Sequence, residues 1–320
     1  MKALTVTAHD RFDGLTLVDH DDPRPGPGEV TVDVQFAGVG LIDALWVTGA
    51  MPAPSGFVPG LEVSGTISEV GDGVSEFAVG ECVAAFASGA GGFAEVVRAS
   101  VSTVARVPDG MSMEQAAVVP VNTVTAHLAL TRVVRVDSGD EVLVFAGVGG
   151  LGSQFAQVAR VLGAGRTVAV VGTPEKQEAA RALGYDDALL RDDLTDLDSG
   201  AYDLVVDPVG GAATTAGFRA LRSGGRMIRV GNASQAPGVP LDSTAFWLEN
   251  KTVAGFIVGA WIGAHPADGA ESLRWALDAV ARGQVRVDLT AVGSRGRARE
   301  LLAELERGAT VGKVALDMRA

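Results

Sequence analysis

The sequence predicts an α/β protein in which a doubly wound parallel sheet is joined to a second, β-rich domain. From residue 141 onwards, short apolar strand patterns alternate with helical patterns, which is typical of parallel β-α units. Before residue 110, short β-like runs separated by glycine and proline dominate, and few helical patterns interrupt them. These two parts of the chain therefore predict two different kinds of sheet.

In the β-rich part, strands are predicted at residues 29–36, 63–70 and 82–86, with glycine and proline turns between them. The next stretch, residues 113–132, has helical character and leads into the alternating part. The short, irregularly spaced strands favour a barrel-like arrangement over a wound sheet.

The alternating part provides the elements of the parallel sheet. Strands are predicted at residues 141–145, 167–171, 204–207, 226–230 and 253–258. Helices are predicted at residues 154–162, 174–183, 213–221, 271–282 and 297–306, and a final strand at residues 312–316. Because each parallel strand needs a crossover to reach the next, helices are expected on both faces of this sheet.

A glycine-rich turn, residues 146–152, follows the first of these strands. Gly147, Gly149 and Gly152 fill the G-x-G-x-x-G positions between a strand and a helix. In such a turn the first glycine permits a tight bend, the second lets the backbone approach a pyrophosphate, and the third lets helix and strand pack closely. Taken alone, this spacing also fits a plain tight turn; its place between strand and helix predicts dinucleotide binding. The candidate contacts are Ala146, Gly147, Gly149, Gly150 and Leu151.

Composition and charge exclude several classes of protein. The 320 residues are enough for two domains, and the formal net charge of −13 argues against a nucleic-acid partner, since phosphate backbones are bound by clustered lysine and arginine. No run of about 18 apolar residues is present to span a membrane. Cys82 is the only cysteine, which excludes an intrachain disulfide, and we expect it to be a small buried hydrophobe. Without a secretory pattern at the N-terminus, a cytoplasmic enzyme is expected.

Short motifs occur in a fixed order along nearly the whole chain. They include Ala37-Gly38-Val39, Pro59-Gly60-Leu61-Glu62-Val63-Ser64-Gly65, Val70-Gly71-Asp72, Thr125-Ala126-His127, Val206-Asp207-Pro208-Val209-Gly210 and Val230-Gly231-Asn232. Their order and spacing resemble the medium-chain dehydrogenase/reductase superfamily, most closely its zinc-free quinone oxidoreductase branch. The resemblance implies a Rossmann-type dinucleotide-binding domain at residues 119–284. It also implies a β-rich, GroES-like catalytic domain formed by residues 1–118 and 285–320.

The resemblance also bears on zinc. Zinc alcohol dehydrogenases of this superfamily carry ligands at the positions of Gly40, Leu61 and Val121 in this chain, and none of these side chains can bind a metal. Glu62 and Asp43 remain, but two carboxylates without imidazole or thiolate are a poor zinc site. We therefore expect no metal, and a structural role for Glu62.

Cofactor choice depends on the residues that follow the second strand of the nucleotide-binding domain. Sites that prefer NAD place an acidic residue there, which binds the ribose 2′-hydroxyl and repels a 2′-phosphate. This chain has Gly172 and Thr173 instead, and the resemblance places Lys176 and Arg191 in the 2′-phosphate pocket. The alternative is that both cations are ordinary surface charges. NADPH is the expected cofactor, and the resemblance places Asn232, Phe256 and Val258 near its nicotinamide half; a plain turn residue is the alternative for Asn232.

Few side chains are candidates for the chemistry. Relatives that reduce enoyl thioesters use a tyrosine shortly after the glycine at position 49, where this chain has Met51. The two tyrosines, Tyr185 and Tyr202, both fall in the predicted nucleotide-binding domain, so the usual acid is missing. His127 is a tempting proton donor, but a packed histidine is the simpler interpretation. The candidate catalytic residues are Asp43, Asn122 and Thr123, and the candidate substrate-binding residues are Trp46, Met51 and Phe57.

For these candidates the bland alternatives are a helix cap for Asp43 and core packing for the apolar side chains. The sequence as a whole predicts a zinc-independent, NADPH-dependent oxidoreductase that reduces small apolar quinones or α,β-unsaturated carbonyls by hydride transfer. Two alternatives stay open: a reductase that tailors enoyl thioesters or polyketides, and a non-catalytic protein that binds NADPH. The resemblance also implies a homodimer formed through an edge strand, for which the β-like residues 253–262 are the candidate.

Overall fold

The computed structural model describes the backbone of residues 1–320 and the side chains of residues 1–194 and 197–320. The chain divides into two units. Unit 1 comprises Met1–Val124, Ile262–Gly283 and Val287–Ala320, and unit 2 comprises Thr125–Trp261 and Gln284–Arg286. The division expected from the sequence, at residues 119 and 285, stays a prediction. Within the described residues, no helix combines the length and the apolar character needed to cross a bilayer.

Strands and helices alternate along much of the chain. The strands are β1 Lys2–Val6, β2 Leu15–Asp19, β3 Glu29–Val39, β4 Glu62–Val70, β5 Cys82–Phe86, β6 Val96–Ser100, β7 Val104–Arg106, β8 Glu141–Phe145, β9 Arg166–Val171, β10 Asp187–Leu190, β11 Tyr202–Asp207, β12 Leu221–Arg229, β13 Thr252–Gly255, β14 Leu289–Ser294 and β15 Lys313–Asp317. The α-helices are α1 Leu41–Thr48, α2 Met113–Ala116, α3 Asn122–Leu128, α4 Gly152–Val161, α5 Pro174–Ala182, α6 Ala212–Ala220, α7 Ser243–Leu248, α8 Val258–Ala264, α9 Pro266–Ala281 and α10 Ala298–Glu306.

Unit 1 is built on a mostly antiparallel sheet with β3 near its centre. The strand order is β14-β15-β3-β4-β5-β7, and β6 also pairs with β3. One side of β3 pairs with β4, while the other pairs first with β6, over residues 29–33, and then with β15, over residues 36–39. Register shifts between β3 and β4 accompany this exchange of partners and bend the sheet around an apolar core. The structure confirms the predicted β-rich domain.

Unit 2 contains the predicted parallel sheet. Its order is β10-β9-β8-β11-β12-β13, and each neighbouring pair runs parallel. Val142, Leu143 and Val144 of β8 are fully buried, as expected for a central strand whose two faces are both covered by helices. The chain leaves β8 first towards β9 and β10 and later towards β11, β12 and β13. The order therefore reverses beside β8, and in such sheets ligands bind at the carboxyl ends of the strands at this point.

The opposite, amino edge of this sheet is occupied by ion pairs. Asp187 of β10 lies 3.2 Å from Arg166 of β9, which in turn lies 3.8 Å from Glu141 of β8. Arg222 of β12 lies 3.8 Å from Glu141 and 3.2 Å from Asp203 of β11. Partly exposed pairs of this kind contribute at most about 1 kcal/mol each. They join neighbouring strands across the amino edge.

The helical character predicted for residues 113–132 is present, but it is divided between separate helices. α2 ends at Ala116, and α3 begins only at Asn122. Pro120 lies between them, and a proline has no amide hydrogen to donate while its ring clashes with the preceding helical turn. The proline therefore divides the segment into two short helices.

Two predictions are wrong. Residues 253–262 are not extended throughout, because β13 ends at Gly255 and α8 begins at Val258; a short apolar run does not by itself distinguish a strand from a helix. Cys82 is exposed rather than buried, because it is the first residue of β5 and lies at the end of that strand.

Asp43 fixes the start of α1. Its Oδ2 accepts a hydrogen bond from the Gly40 amide at 2.9 Å, and its Oδ1 accepts one from the Gly60 amide at 2.9 Å. The residue is 1% exposed, and this burial raises the pKa of the carboxyl to about 6, although the two amide bonds favour the charged form. Asp43 thus ties the N-terminus of α1 to the loop that precedes β4.

We expect the substitution Asp43→Asn to change how stability depends on pH. A carboxyl whose pKa is higher in the folded than in the unfolded chain stabilises the fold fully at acid pH, and this contribution is lost as the pH rises through the folded value. With a folded value of about 6, the wild type should lose roughly 2 kcal/mol relative to the variant between about pH 4.5 and about pH 7.5. Urea unfolding of both proteins at both pH values measures this loss.

Asp242→Asn is the matched control. Asp242 is the N-cap of α7 in unit 2 and, unlike Asp43, it is exposed. The difference in unfolding free energy between the wild type and Asp242→Asn should be the same at both pH values. If the difference between the wild type and Asp43→Asn is the same at both pH values, burial does not raise the pKa of Asp43.

Candidate active site

The glycine-rich turn after β8 leaves no room for side chains at two positions. A Cβ atom on Gly147 would lie 2.6 Å from the Ala169 Cβ, and one on Gly152 would lie 2.4 Å from the Ala146 oxygen. The Gly149 amide donates to the Ala146 oxygen at 2.9 Å, which closes the turn. These contacts match the tight bend and the close packing that the first and third glycines permit in a dinucleotide-binding turn.

Backbone amides of this turn are available to a ligand. The Ser153 amide donates to the Gly149 oxygen at 3.0 Å and so belongs to the first helical turn. Among the described residues, the amides of Gly150 and Leu151 donate to no backbone carbonyl. α4 begins at Gly152, so the positive end of its dipole faces the same place. The turn therefore offers hydrogen-bond donors and a favourable field to an anion such as a pyrophosphate.

The structure brings the predicted 2′-phosphate residues together at the carboxyl end of β9. The Thr173 hydroxyl accepts a hydrogen bond from the Lys176 amide at 3.4 Å and caps α5. A Cβ atom on Gly172 would lie 3.9 Å from the Arg191 Nη1, which places the guanidinium beside this glycine. The Glu175 carboxylate accepts hydrogen bonds from its own amide and from the Thr173 hydroxyl, and these bonds lower its pKa. The end of β9 thus combines a hydroxyl with a cation.

A second loop at the same edge, after β11, is organised by Asp207. Its Oδ1 accepts hydrogen bonds from the amides of Val209, at 2.8 Å, and Gly210, at 2.9 Å, while its Oδ2 accepts one from the Thr214 hydroxyl at 2.6 Å. The Arg229 guanidinium lies 3.2 Å from the same Oδ2. Asp207 is 0% exposed, and a buried carboxylate needs this many donors. The network fixes the loop beside the glycine-rich turn.

The residues predicted near the nicotinamide follow β12 and β13. Asn232 donates from Nδ2 to the Ala236 oxygen at 3.0 Å, a contact that fits the turn-residue alternative. The Phe256 ring centroid lies 5.8 Å from that of Trp261, and Val258 begins α8. All three lie after carboxyl ends of strands in the parallel sheet.

In unit 1, two of the predicted substrate-binding side chains touch each other. The Trp46 and Phe57 ring centroids lie 5.1 Å apart with an interplanar angle of 68°, an edge-to-face contact. Met51 follows the end of α1, where its amide donates to the Leu45 oxygen at 2.9 Å. All three side chains are only partly buried. The end of α1 and the segment that follows it thus present a partly exposed, apolar, aromatic surface.

The other candidates for the chemistry lie in or beside α3. Asn122 is its first residue and is partly buried, whereas Thr123 is 0% exposed. His127 is buried in the same helix, and burial lowers its pKa to about 4. The imidazole is therefore neutral at pH 7 and does not supply the proton of an imidazolium.

Glu62 is paired with a lysine rather than being part of a metal site. Glu62 Oε1 accepts a hydrogen bond from the Lys313 ammonium, and Glu62 Oε2 accepts one from the Val121 amide at 2.8 Å. Lys313 also donates to the Val39 oxygen at 3.3 Å. Among the side chains that the structure describes, no group of three His, Cys, Asp or Glu residues is placed to hold a metal ion. The residues present do not fit a zinc ion, and they support the structural role expected for Glu62.

Sequence reasoning missed three residues that organise the candidate site: Tyr185, Arg229 and Lys313. Tyr185 contacts the glycine-rich turn, as described below, and no pattern in its surroundings indicates this. Lys313 did leave a signal, because a lysine inside the apolar C-terminal strand needs a buried partner.

Family comparisons cover both units. The zinc-binding dehydrogenase family matches residues 150–306, and the GroES-like domain of alcohol dehydrogenases matches residues 26–109. Polyketide synthase GfsB of Streptomyces halstedii is 38% identical over 237 residues, which is 72% of this chain but only 4% of that protein. The chain thus spans a small part of such relatives. Quinone oxidoreductase-like protein 2 of Mus musculus is 31% identical over 308 residues, which is 93% of this chain and 87% of that protein.

Solved structures with the same fold include quinone oxidoreductases. Mycobacterial Rv1454c complexed with NADPH has a TM-score of 0.88 and 30% identity, with 99% of both chains covered. Quinone oxidoreductase of Escherichia coli complexed with NADPH has a TM-score of 0.89 and covers 99% of this chain and 100% of that one; at 23% identity it shows the fold alone. The predicted combination of a Rossmann-type sheet with a GroES-like domain is confirmed. The chain belongs to the medium-chain dehydrogenase/reductase superfamily, among its quinone oxidoreductase-like members.

Proposed function

We propose that this protein is a zinc-independent, NADPH-dependent oxidoreductase that reduces quinones or α,β-unsaturated carbonyls by hydride transfer. The observation that carries the proposal is the arrangement of donors at the carboxyl edge of the parallel sheet in unit 2. Amides that donate to no backbone carbonyl of the described residues follow β8, and a hydroxyl and a guanidinium follow β9. That NADPH is present in the structure of mycobacterial Rv1454c supports the choice of cofactor.

In this proposal the glycine-rich turn binds the pyrophosphate of NADPH. Gly147 and Gly149 let the backbone approach it, Gly150 and Leu151 donate their amides, and Ala146 supports the turn from a backbone φ of 51°. When bound, NADPH supplies the hydride, and with it the difficult part of the chemistry. The contribution of the chain is to hold the cofactor and the acceptor in place.

The preference for NADPH over NADH depends on the end of β9. An acidic side chain there would repel a 2′-phosphate, and this chain has Gly172 and Thr173 instead. Lys176 and Arg191 supply the positive charge that a phosphate needs. Arg191 also lies 3.5 Å from Asp192 on the surface, a weak pair that a phosphate can displace. Asn232, Phe256 and Val258 are proposed to contact the nicotinamide half.

The acceptor is proposed to lie on the aromatic surface formed by Trp46 and Phe57, with Met51 beside them. Flat conjugated molecules suit such a surface, because ring faces and edges pack well against them. Asn122 and Thr123 are proposed to donate hydrogen bonds to the acceptor oxygen, where negative charge develops. Both carboxylate oxygens of Asp43 are bound by backbone amides, so a positioning role suits Asp43 better than proton donation.

Zinc independence follows in this proposal from the contacts of Glu62. Its two carboxylate oxygens are already occupied by the Lys313 ammonium and the Val121 amide. A divalent cation would have to displace a buried positive charge, and no imidazole or thiolate stands at the corresponding positions. Polarisation of the acceptor is therefore assigned to hydrogen bonds rather than to a metal.

A second candidate function is reduction of enoyl thioesters in polyketide or lipid assembly. It is favoured by the 38% identity to a segment of polyketide synthase GfsB and by the 31% identity to a segment of a mycocerosic acid synthase-like polyketide synthase of Mycobacterium tuberculosis. Against it stands Met51, which occupies the place of the tyrosine that the resemblance leads one to expect. A non-catalytic NADPH-binding protein is the third possibility that the missing acid leaves open.

We also propose a cytoplasmic homodimer. β13 is the edge strand of the parallel sheet, so its outer hydrogen-bonding groups are available to a second copy. Ile257 follows it and is 63% exposed, and Trp247 of α7 is 71% exposed. Large apolar side chains with this exposure beside an open strand favour an interface.

We expect protein treated with a chelator to oxidise NADPH in the presence of quinones and enones. Hydride transfer requires the cofactor and a bound acceptor but, in this proposal, no metal. Loss of NADPH absorbance is measured with a panel of quinones, enones and short enoyl thioesters, before and after the treatment. Activity lost with the metal contradicts zinc independence. A preference for thioesters favours the second candidate, and tight NADPH binding without turnover favours the third.

We expect Gly172→Asp to reverse the cofactor preference. The position accepts a side chain, since a Cβ there meets only the Arg191 guanidinium, at 3.9 Å. The new carboxylate would repel a 2′-phosphate and accept a bond from a 2′-hydroxyl, so the NADPH-to-NADH ratio of kcat/KM should fall about 10- to 100-fold. Gly172→Asn is the matched control, with the same size and no charge. Equal ratios for the two variants would rule out a 2′-phosphate at this position.

We expect Ile257→Asp to convert the dimer into monomers, because a charge cannot be buried there without a partner. Size-exclusion chromatography with light scattering measures the mass in solution. Val292→Asp serves as the control, since Val292 is 42% exposed and lies on β14 in unit 1. If the wild type is a dimer and Ile257→Asp is still a dimer, the subunits associate through another surface.

A further inference from the structure

We infer that Tyr185 is a positioning residue for the pyrophosphate-binding turn, an inference that rests on the proposed function. Tyr185 lies between α5 and β10, outside the turn in sequence, and is 5% exposed. Its hydroxyl oxygen lies 3.0 Å from the Gly147 oxygen and 2.9 Å from the Gly152 oxygen. These carbonyls belong to the first and last glycines of the G-x-G-x-x-G segment, so one buried phenol spans the whole turn.

The phenol acts only as a donor in this arrangement. A hydroxyl has a single proton, which the two carbonyl oxygens share. Burial raises the pKa of Tyr185, so the proton stays on the oxygen throughout the working range of pH. The bond to the turn is therefore present whenever the chain is folded.

Holding the Gly147 oxygen also orients the amide that follows it. The peptide bond between Gly147 and Val148 is planar and trans, so its carbonyl and its amide hydrogen point in opposite directions. With the carbonyl directed at the buried phenol, the Val148 amide is directed away from it. Tyr185 thus sets the orientation of the first peptide group of the turn proposed to bind the pyrophosphate, without being one of the residues proposed to contact the ligand.

The same contact adds to the constraint on Gly147. A Cβ atom there would lie 3.1 Å from the Tyr185 hydroxyl, in addition to its overlap with Ala169. The turn is therefore packed on the phenol rather than merely bonded to it. Removing the hydroxyl while keeping the ring leaves the ring itself in place but takes away this contact and leaves two carbonyls without their shared donor.

We expect Tyr185→Phe to weaken the binding of NADPH and NADH by the same factor, about three- to tenfold, the effect of losing one buried hydrogen bond. The pyrophosphate is common to both cofactors, so the ratio of their dissociation constants should not change. KM for NADPH should rise similarly, while kcat at saturating cofactor should stay within about twofold. Calorimetric titration of the protein with each cofactor measures the dissociation constants.

Two variants make the test specific. Tyr202→Phe removes a hydroxyl from the other tyrosine of the chain, which is 6% exposed and lies on β11, and should leave both affinities unchanged. Lys176→Ala should weaken NADPH far more than NADH, and so change the ratio that Tyr185→Phe preserves. A role limited to stability would lower the melting temperature of Tyr185→Phe without changing its affinity well below that temperature.

The outcomes separate the two proposals. If the wild type binds NADPH and Tyr185→Phe binds it equally well, the positioning role is wrong and the proposed function stands. If Tyr185→Phe changes the NADPH-to-NADH ratio, the hydroxyl acts on the 2′-phosphate end and the inference is also wrong. If the wild type binds neither cofactor, the proposed function fails, and the inference fails with it.

Discussion

The close approach of backbone to backbone in the turn after β8 is the constraint on which the organisation of unit 2 depends. Because Gly147 and Gly152 carry no side chain, the turn can lie against Ala169 of β9 and against its own Ala146 oxygen. α4 can then begin directly after this turn, with its first amides at the carboxyl edge of the sheet. The ion pairs of Arg166 and its neighbours occupy the other edge. Donors for an anion are thus placed where the strand order reverses.

Unit 1 depends in a comparable way on a buried pair of charges. Glu62 and Lys313 have side chains that are 3% and 4% exposed, and either charge alone would be costly at this depth. Together, and with the Val121 amide and the Val39 oxygen, their hydrogen bonds are satisfied. The pair joins β4 to the C-terminal strand. The Glu62 carboxylate thus contributes to the connection between distant parts of the chain.

The sequence was most informative where geometry and chemistry coincide. The strands and crossovers around residues 141–171 were predicted well, since burial on both faces produces continuous apolar runs and glycines mark the turn between them. β10 was missed, because Asp187-Ala188-Leu189-Leu190 is short and begins with a poor strand former. Tyr185 and Arg229 could not be found either, because no local pattern encodes their contacts. Tyr185 contacts residues 38 and 33 positions away, and Arg229 contacts Asp207 and Thr214 in an earlier strand and helix. The pattern of apolar residues and glycines along the sequence predicts which faces are buried and where turns lie. It does not predict which side chains meet across the fold.

Three candidate proton donors among the described residues are either held in other contacts or neutral. The hydroxyl of Tyr185 donates to the turn, and His127 is neutral at pH 7. Both carboxylate oxygens of Asp43 accept hydrogen bonds from backbone amides. Hydride transfer to a quinone gives an aromatic hydroquinone anion, whose oxygen takes a proton from water without help. Transfer to an enoyl thioester gives a less stabilised enolate, which must be protonated at carbon and gains more from a positioned acid. Within the proposed function, this difference supports quinones over thioesters as the acceptor.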